Sequence, residues 1–293
     1  MGNTQTPARW LSAVWNAKSD YEHGWMIPIF CVFMCWHAAK TLREEKINGS
    51  IHGMWAILFG GLLFLASIRT LQPRIAILSF PFLLWGAIWT YWGKCFAFRL
   101  AFPLFYILLA IPMPGLQQAT VHLQLMSTEM AHWGAGLFGV ETIMEGTTLH
   151  ATNSDWDTFN IAGGCSGIRS LLALLMISIA WGYLADKLAL WKRVLLALSA
   201  IPLAIIGNGF RVASILVCAE HINPAFAGKA WHDWSGLLLF FPATLFGLTV
   251  LHSILAGEIP FLKKRKTVII RRGSTEALDS NTSDEQKGES NHE

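Results

Sequence analysis

Apolar residues run along this chain in long blocks with almost no charge inside them, and the lengths of those blocks predict membrane-crossing helices. About 20 apolar residues, rising 1.5 Å each, span a hydrocarbon core about 30 Å thick. Seven stretches fit that ruler: Trp25 to Ala39, Ile51 to Ile68, Ile75 to Trp92, Phe96 to Met113, Gly167 to Ala185, Val194 to Val217 and Gly236 to Leu255, the first of them short. Two further segments are more polar. Arg9 to Ala17 sets tryptophans among polar residues, as helices lying along the interface do. Leu116 to Phe138 has a helical period but carries Gln117, Gln118, His122, Gln124, Glu129 and His132, and reads either as an interfacial helix or as an eighth span buried in protein. No internal repeat is visible. The predicted fold is all-α, a polytopic transmembrane helical bundle of about seven or eight spans.

Composition supports that class. Of 293 residues, 53% are hydrophobic and 14% charged, whereas a soluble domain carries about a quarter charged residues to face water. Disorder is excluded by the apolar content, and a disulfide scaffold by only 5 cysteines in so long a chain. A formal net charge of +3 is too small to imply a nucleic-acid partner. Met1 to Arg9 lacks the charged-then-apolar pattern of a cleavable signal, so the N-terminus is expected to be retained. Past Glu258 the composition changes to Lys263-Lys264-Arg265-Lys266, Arg271-Arg272 and a Ser, Asn, Asp, Glu and Gly tail that is predicted to be disordered. Three parts follow: an extracytoplasmic or interfacial segment over 1–24, a transmembrane domain over 25–257 and a cytoplasmic tail over 258–293.

Lysine and arginine collect in cytoplasmic loops, which sets the orientation. Lys40, Arg43 and Lys46 follow the first span, Lys94 and Arg99 the third, Lys187, Lys192 and Arg193 the fifth, and the Lys263 cluster the seventh. The turn from Arg69 to Arg74 opposes this assignment and is outvoted. The segment Pro114 to Gly164, the end of the sixth span and the start of the seventh then share an extracytoplasmic face.

Ionisable residues at the edge of a span are costly unless paired or functional, and three stand out on that face. Cys165 lies between glycines just before the fifth span, where a helix N-terminus lowers a thiol pKa and neighbouring amides can hold an oxyanion. The plain alternative is a packing cysteine, the reading that suits Cys31, Cys35, Cys95 and Cys218 inside apolar runs. Arg211, towards the outer end of the sixth span, keeps its charge and needs an anion: an oxyanion, a headgroup phosphate or a structural carboxylate. Arg169, one turn into the fifth span, is expected to pair with a carboxylate. His232, at the predicted head of the seventh span, suits a general base, since the positive end of the dipole favours neutral imidazole. Alternatively, His232 and Asp233 are interfacial capping residues. His221 and His150 are runners-up, while His252 lies about 30 Å further down the helix. No metal or cofactor site is expected.

At these residues the sequence resembles the exosortase/archaeosortase family, membrane-embedded cysteine transpeptidases with Cys, Arg and His in that chain order. The resemblance rests on Gly164-Cys165-Ser166-Gly167-Ile168-Arg169-Ser170-Leu171, with Gly164 where the family often has Ala, on Asn208-Gly209-Phe210-Arg211, and on His232-Asp233-Trp234-Ser235-Gly236. Asp20-Tyr21-Glu22-His23-Gly24-Trp25-Met26-Ile27-Pro28 and Ile111-Pro112-Met113-Pro114 complete it, so that it covers roughly residues 18 to 256. The resemblance implies that Cys165 attacks the scissile carbonyl to form a thioester, Arg211 stabilises the oxyanion and His232 handles the protons. It implies as partners the C-terminal sorting signals of exported proteins, each a short motif, a transmembrane helix and a basic cluster. Membrane lipid and an exopolysaccharide or lipid-linked acceptor are further expected partners. It implies a multi-pass protein of the cell inner membrane with its site facing the periplasm. The competing class is a transporter or channel in which Arg211 and His232 line a substrate path.

Overall fold

Proline, glycine and capping side chains set the limits of the helices. The computed structural model describes residues 6–16, 20–112, 116–152, 156, 158–160 and 167–257. Helix α1 (Pro7–Val14) opens on Thr6, whose side chain accepts from the Arg9 amide, with proline in the first turn. A 3₁₀ turn (Glu22–Trp25) leads into α2 (Met26–Thr41). Helix α3 (Gly53–Thr70) ends on the left-handed Leu71, and Pro73 starts α4 (Pro73–Trp92). Gly93, at φ 101, stops α4 and admits α5 (Lys94–Phe105), which tightens into a 3₁₀ turn (Tyr106–Ala110). Helix α6 (Leu116–Gly136) is followed by β1 (Thr142–Glu145), β2 (Thr148–Ala151) and β3 (Thr158–Asn160). Then come α7 (Ile168–Leu184), α8 (Leu190–Leu198), α9 (Ala200–His221) and α10 (Pro224–Ala256). Two π-helical segments, Ala227–Trp231 and Gly236–Phe240, interrupt α10.

Among the described residues four helical stretches are long and apolar enough to cross a membrane: α3, α4, Leu190–His221 and α10. Helix α7 is apolar over 17 residues, and the predicted first and fourth spans form helices of 16 and 12 residues, the latter extended by its 3₁₀ turn. The predicted tail over 258–293 lies outside the described residues.

The small sheet is an addition that apolar block lengths do not reveal. Its strands are antiparallel in the order β1-β2-β3, with Glu145 opposite Thr148 across a two-residue turn that Gly146 enters at φ 61. Leu149, Val140 and Trp156 are buried against Val212, Ile215, Leu216 and Ala219 of α9, so the sheet is pinned on the end of that helix. Trp156 also donates its indole N–H to Glu220 at 2.9 Å.

Helix α6 packs lengthwise on α9 and runs in the same direction. Asn208 Nδ2 donates to Ser127 Oγ at 3.0 Å, Gly209 faces Met130 and Gly134 faces Ala213. The polar residues of α6 are thereby partly spent on protein contacts. Helix α7 runs antiparallel to both α5 and the α8–α9 pair, with the Tyr106 hydroxyl donating to the Met176 carbonyl at 2.8 Å and Ser178 Oγ to the Ala197 carbonyl at 3.2 Å.

These contacts sort the charged loops between two ends. His37 Nε2 meets Asp186 Oδ2 at 3.3 Å, Asn48 bridges Gly93, and Lys192 Nζ donates to the Leu255 carbonyl. The basic groups after α2, α4 and α7 therefore share one end of the bundle. At the other end Trp15 donates its indole N–H to the Ala110 carbonyl at 3.0 Å, and Arg74 lies over the Trp10 ring.

Helices α3 and α4 meet through small residues, as helices do where no hydrophobic driving force exists between them. A Cβ on Gly53 would come 2.6 Å from the Gly86 carbonyl oxygen, and one on Gly86 would come 2.8 Å from Gly53 O and Ile57 N. These neighbours are backbone and cannot rotate away. Gly61, on the same helix, has nothing within 4 Å. Gly86→Leu is expected to lower stability by about 1–3 kcal/mol in thermal unfolding of the detergent-solubilised chain. Gly61→Ala should leave it unchanged or raise it by up to about 1 kcal/mol.

Candidate active site

An arginine in the second half of an apolar helix has to find acceptors, and α9 turns Arg211 toward α10 for that purpose. Its side chain is only 9% exposed. Arg211 Nε donates to Ser235 Oγ at 3.1 Å and Nη2 donates to the His232 carbonyl at 2.9 Å. Ser235 Oγ in turn donates to the same carbonyl at 3.2 Å. Two hydrogen bonds in the fork of the guanidinium thus fix both its position and its plane. Among the described residues no carboxylate pairs with it. Its charge meets neutral acceptors alone among the described residues, and a cation so placed is able to stabilise a developing negative charge.

The backbone beneath this group is braced from both sides. Ser214 Oγ donates to the Arg211 carbonyl at 2.6 Å and accepts from the Trp231 indole N–H at 3.1 Å. Trp231, the residue just before the Arg211 contact in α10, is therefore tied to α9.

His232 lies with Arg211, but it does not stand at a helix start. Helix α10 begins eight residues earlier, where Asn223 Oδ1 accepts from the amides of Ala225 and Phe226 and proline occupies the first turn. The expectation that a positive helix end acts on its imidazole is corrected accordingly. What orients the ring is Asp233, whose Oδ1 is 3.2 Å from Nδ1. A neutral imidazole that donates Nδ1–H to this carboxylate carries its lone pair on Nε2, the arrangement a general base requires. The His232 side chain is 27% exposed, so it stays within reach of a substrate.

Cys165 lies outside the described residues, which resume at Gly167. Gly167 has φ 73 and precedes the first turn of α7. A Cβ there would come 2.8 Å from Nδ2 and 3.0 Å from Cγ of Asn208. The start of α7 is therefore seated on α9 at Asn208, one helical turn before Arg211. The other sequence candidates are engaged elsewhere. Arg169 pairs with Asp20 and Glu22, as expected for a cation one turn into the span. His150 faces Glu145 at 3.5 Å on the sheet, and His221 lies 3.4 Å from the Phe138 carbonyl. His252 is near the far end of α10, beside Trp181.

A family model described as transmembrane exosortase matches residues 15–249. The chain belongs to that family. No curated protein and no solved structure matches it. Exosortases act in general on the C-terminal sorting signals of exported proteins, and membership together with the long apolar helices makes this a multi-pass membrane protein. The match spans Trp15, α7, Arg211 and the whole His232 turn.

Ser235 and Asp233 are the exosortase residues whose roles the sequence did not announce. Both lie in the quoted motif, and the three-residue spacing of His232 and Ser235 puts a carbonyl and a hydroxyl on one helical face. The close seat of Gly167 gives a stability test. Gly167→Ala should lower stability by about 1–3 kcal/mol through both its positive φ and the collision with Asn208. Gly139→Ala, at φ 78 with nothing within 4 Å, should cost only the backbone part, about 1 kcal/mol, in the same unfolding measurement.

Proposed function

We propose that this exosortase cuts C-terminal sorting signals of exported proteins by nucleophilic catalysis, with Cys165, Arg211 and His232 as its catalytic residues. The observation that carries the reading is the buried Arg211 guanidinium, held on the His232 turn with no carboxylate paired to it among the described residues. Cys165 precedes Gly167, which rests on Asn208, by two residues, and two residues of chain reach at most about 7 Å. This short tether supports assigning the thiol to the same site as Arg211.

His232 takes the Cys165 thiol proton, becoming imidazolium, and the thiolate adds to the scissile carbonyl, forming a C–S bond and an oxyanion that Arg211 stabilises. Collapse of that intermediate breaks the C–N bond, and the departing amine takes a proton from the His232 imidazolium. The thioester then passes to an amine acceptor, giving a new amide, or to water, giving a carboxylic acid. In both cases sulfur leaves as thiolate.

Two features support this reading over a transport path. Arg211 lies one helical turn from the seat of Gly167 at the start of α7, whereas Asp186, past the end of α7, meets the basic-loop end of the bundle, which supports a site on the extracytoplasmic face. Beside it, a cavity of about 680 Å³ runs between α9 and α10, lined by Leu203, Gly207, Phe210, Val217, Trp231 and Thr244. Its apolar wall suits the membrane-embedded part of a sorting signal.

A co-expressed substrate carrying such a signal provides the test. Mass spectrometry of its new C-terminus should show one cut just outside the membrane helix and either a free acid or an attached acceptor. Cys165→Ala should abolish the cut while the chain still inserts, and Arg211→Ala and His232→Ala should reduce it by at least about 100-fold. Full processing by Cys165→Ala would remove the proposed nucleophile.

A further inference from the structure

The motif Asp20-Tyr21-Glu22-His23-Gly24 plays no part in the chemistry above, and its side chains divide between two tasks. Tyr21 and His23 turn inward, 2% and 8% exposed, with their rings 5.1 Å apart. Gly24 lies against the Trp15 indole, which a Cβ would approach to 2.2 Å. Trp15 is itself fastened, donating to the Ala110 carbonyl while its own carbonyl accepts from the Trp25 indole at 3.1 Å. Burial pushes the His23 imidazole down to about 4, so this floor adds no charge at neutral pH.

Asp20 and Glu22 turn the other way and meet Arg169, 149 residues away from Asp20 in the chain. Arg169 Nε and Nη2 each lie 3.2 Å from Asp20 Oδ1, and Nη1 lies 3.6 Å from Glu22 Oε2. Asp20 has φ 59, a left-handed conformation that aspartate tolerates better than most residues. Arg169 is the second residue of α7, where the helix dipole opposes a cation, and two carboxylates offset that mismatch. The three side chains are 37–52% exposed, so their pairing adds little to overall stability. What it does fix is the position of the first turn of α7 against a rigid floor.

We propose that Asp20 and Glu22 are positioning residues for the nucleophile, acting through Arg169 to hold the helix turn from which the Cys165 segment extends. The proposal rests on the reading of Cys165 as nucleophile. A displacement of about 1 Å in a reacting group can cost on the order of 100-fold in rate, so loss of the clamp falls on kcat.

The test uses the full chain in membranes and the variants Asp20→Asn, Glu22→Gln, Arg169→Gln, Arg169→Lys and the double variant Asp20→Asn/Arg169→Gln. Three quantities are read: kcat and KM for a substrate tail, the melting temperature, and the alkylation rate of the Cys165 peptide without substrate. Asp20→Asn and Arg169→Gln should each lower kcat about tenfold or more, with KM within about twofold and melting nearly unchanged. Glu22→Gln, at the longer contact, should lower kcat less. The double variant should be no worse than the poorer single, because both remove one pair, and Arg169→Lys should recover part of the loss. Alkylation of Cys165 should slow in the same order.

Losses that multiply in the double variant, a KM effect at constant kcat, or an unchanged alkylation rate would each overturn the clamp. If Cys165→Ala still processes substrate, the nucleophile reading falls, and the alkylation series still judges the clamp by itself.

Discussion

The structure turns on a buried guanidinium that has no carboxylate partner among the described residues. Arg211 cannot shed its charge, and its place in an apolar helix denies it bulk water. Helix α10 supplies the answer with one hydroxyl and one carbonyl, both from the turn that carries His232. Neutral acceptors satisfy the N–H groups without cancelling the charge. The same two bonds that make the arginine tolerable thereby tie the guanidinium of α9 to the backbone turn of α10 that carries His232.

Around that spot, close approach is achieved through small residues and tied-down aromatic rings. Gly167 lets α7 sit on Asn208, Gly209 lets α6 sit on α9, and the Gly53–Gly86 contact joins α3 to α4. The buried Trp15 and Trp156 and the half-buried Trp231 each use the indole N–H to reach another element. Arg211, His232 and Ser235 thus stand on helices rather than loops, which holds their geometry firmly.

Much of this was legible because charge is conspicuous in an apolar sequence. Arg211 and His232 stood out for that reason, and the three-residue step from Asn208 to Arg211 already put both on one face of α9. The start of α10 was misplaced because the apolar run begins at Gly236, whereas the cap is Asn223-Pro224 in a stretch that also holds Lys229 and Asp233. Packing on α9, such as the Trp231–Ser214 bond, carries the helix through those polar residues. The sheet was not foreseen, since its strands are three or four residues long and owe their order to Leu149 pressed on α9. The partners of Arg169 were equally hidden: a carboxylate 149 residues away leaves no local trace. The arginines of the α3–α4 turn, which opposed the charge rule, are in part accounted for by Arg74 lying over Trp10.

The most direct measurement is the distance between residues 165 and 232 in the folded chain. With His232→Cys in place, a short bifunctional thiol reagent applied to intact membranes should join that position to Cys165 in high yield, as it should join an Ser127→Cys/Asn208→Cys control pair. A control that links while positions 165 and 232 do not would contradict the assembly of one site from α7, α9 and α10.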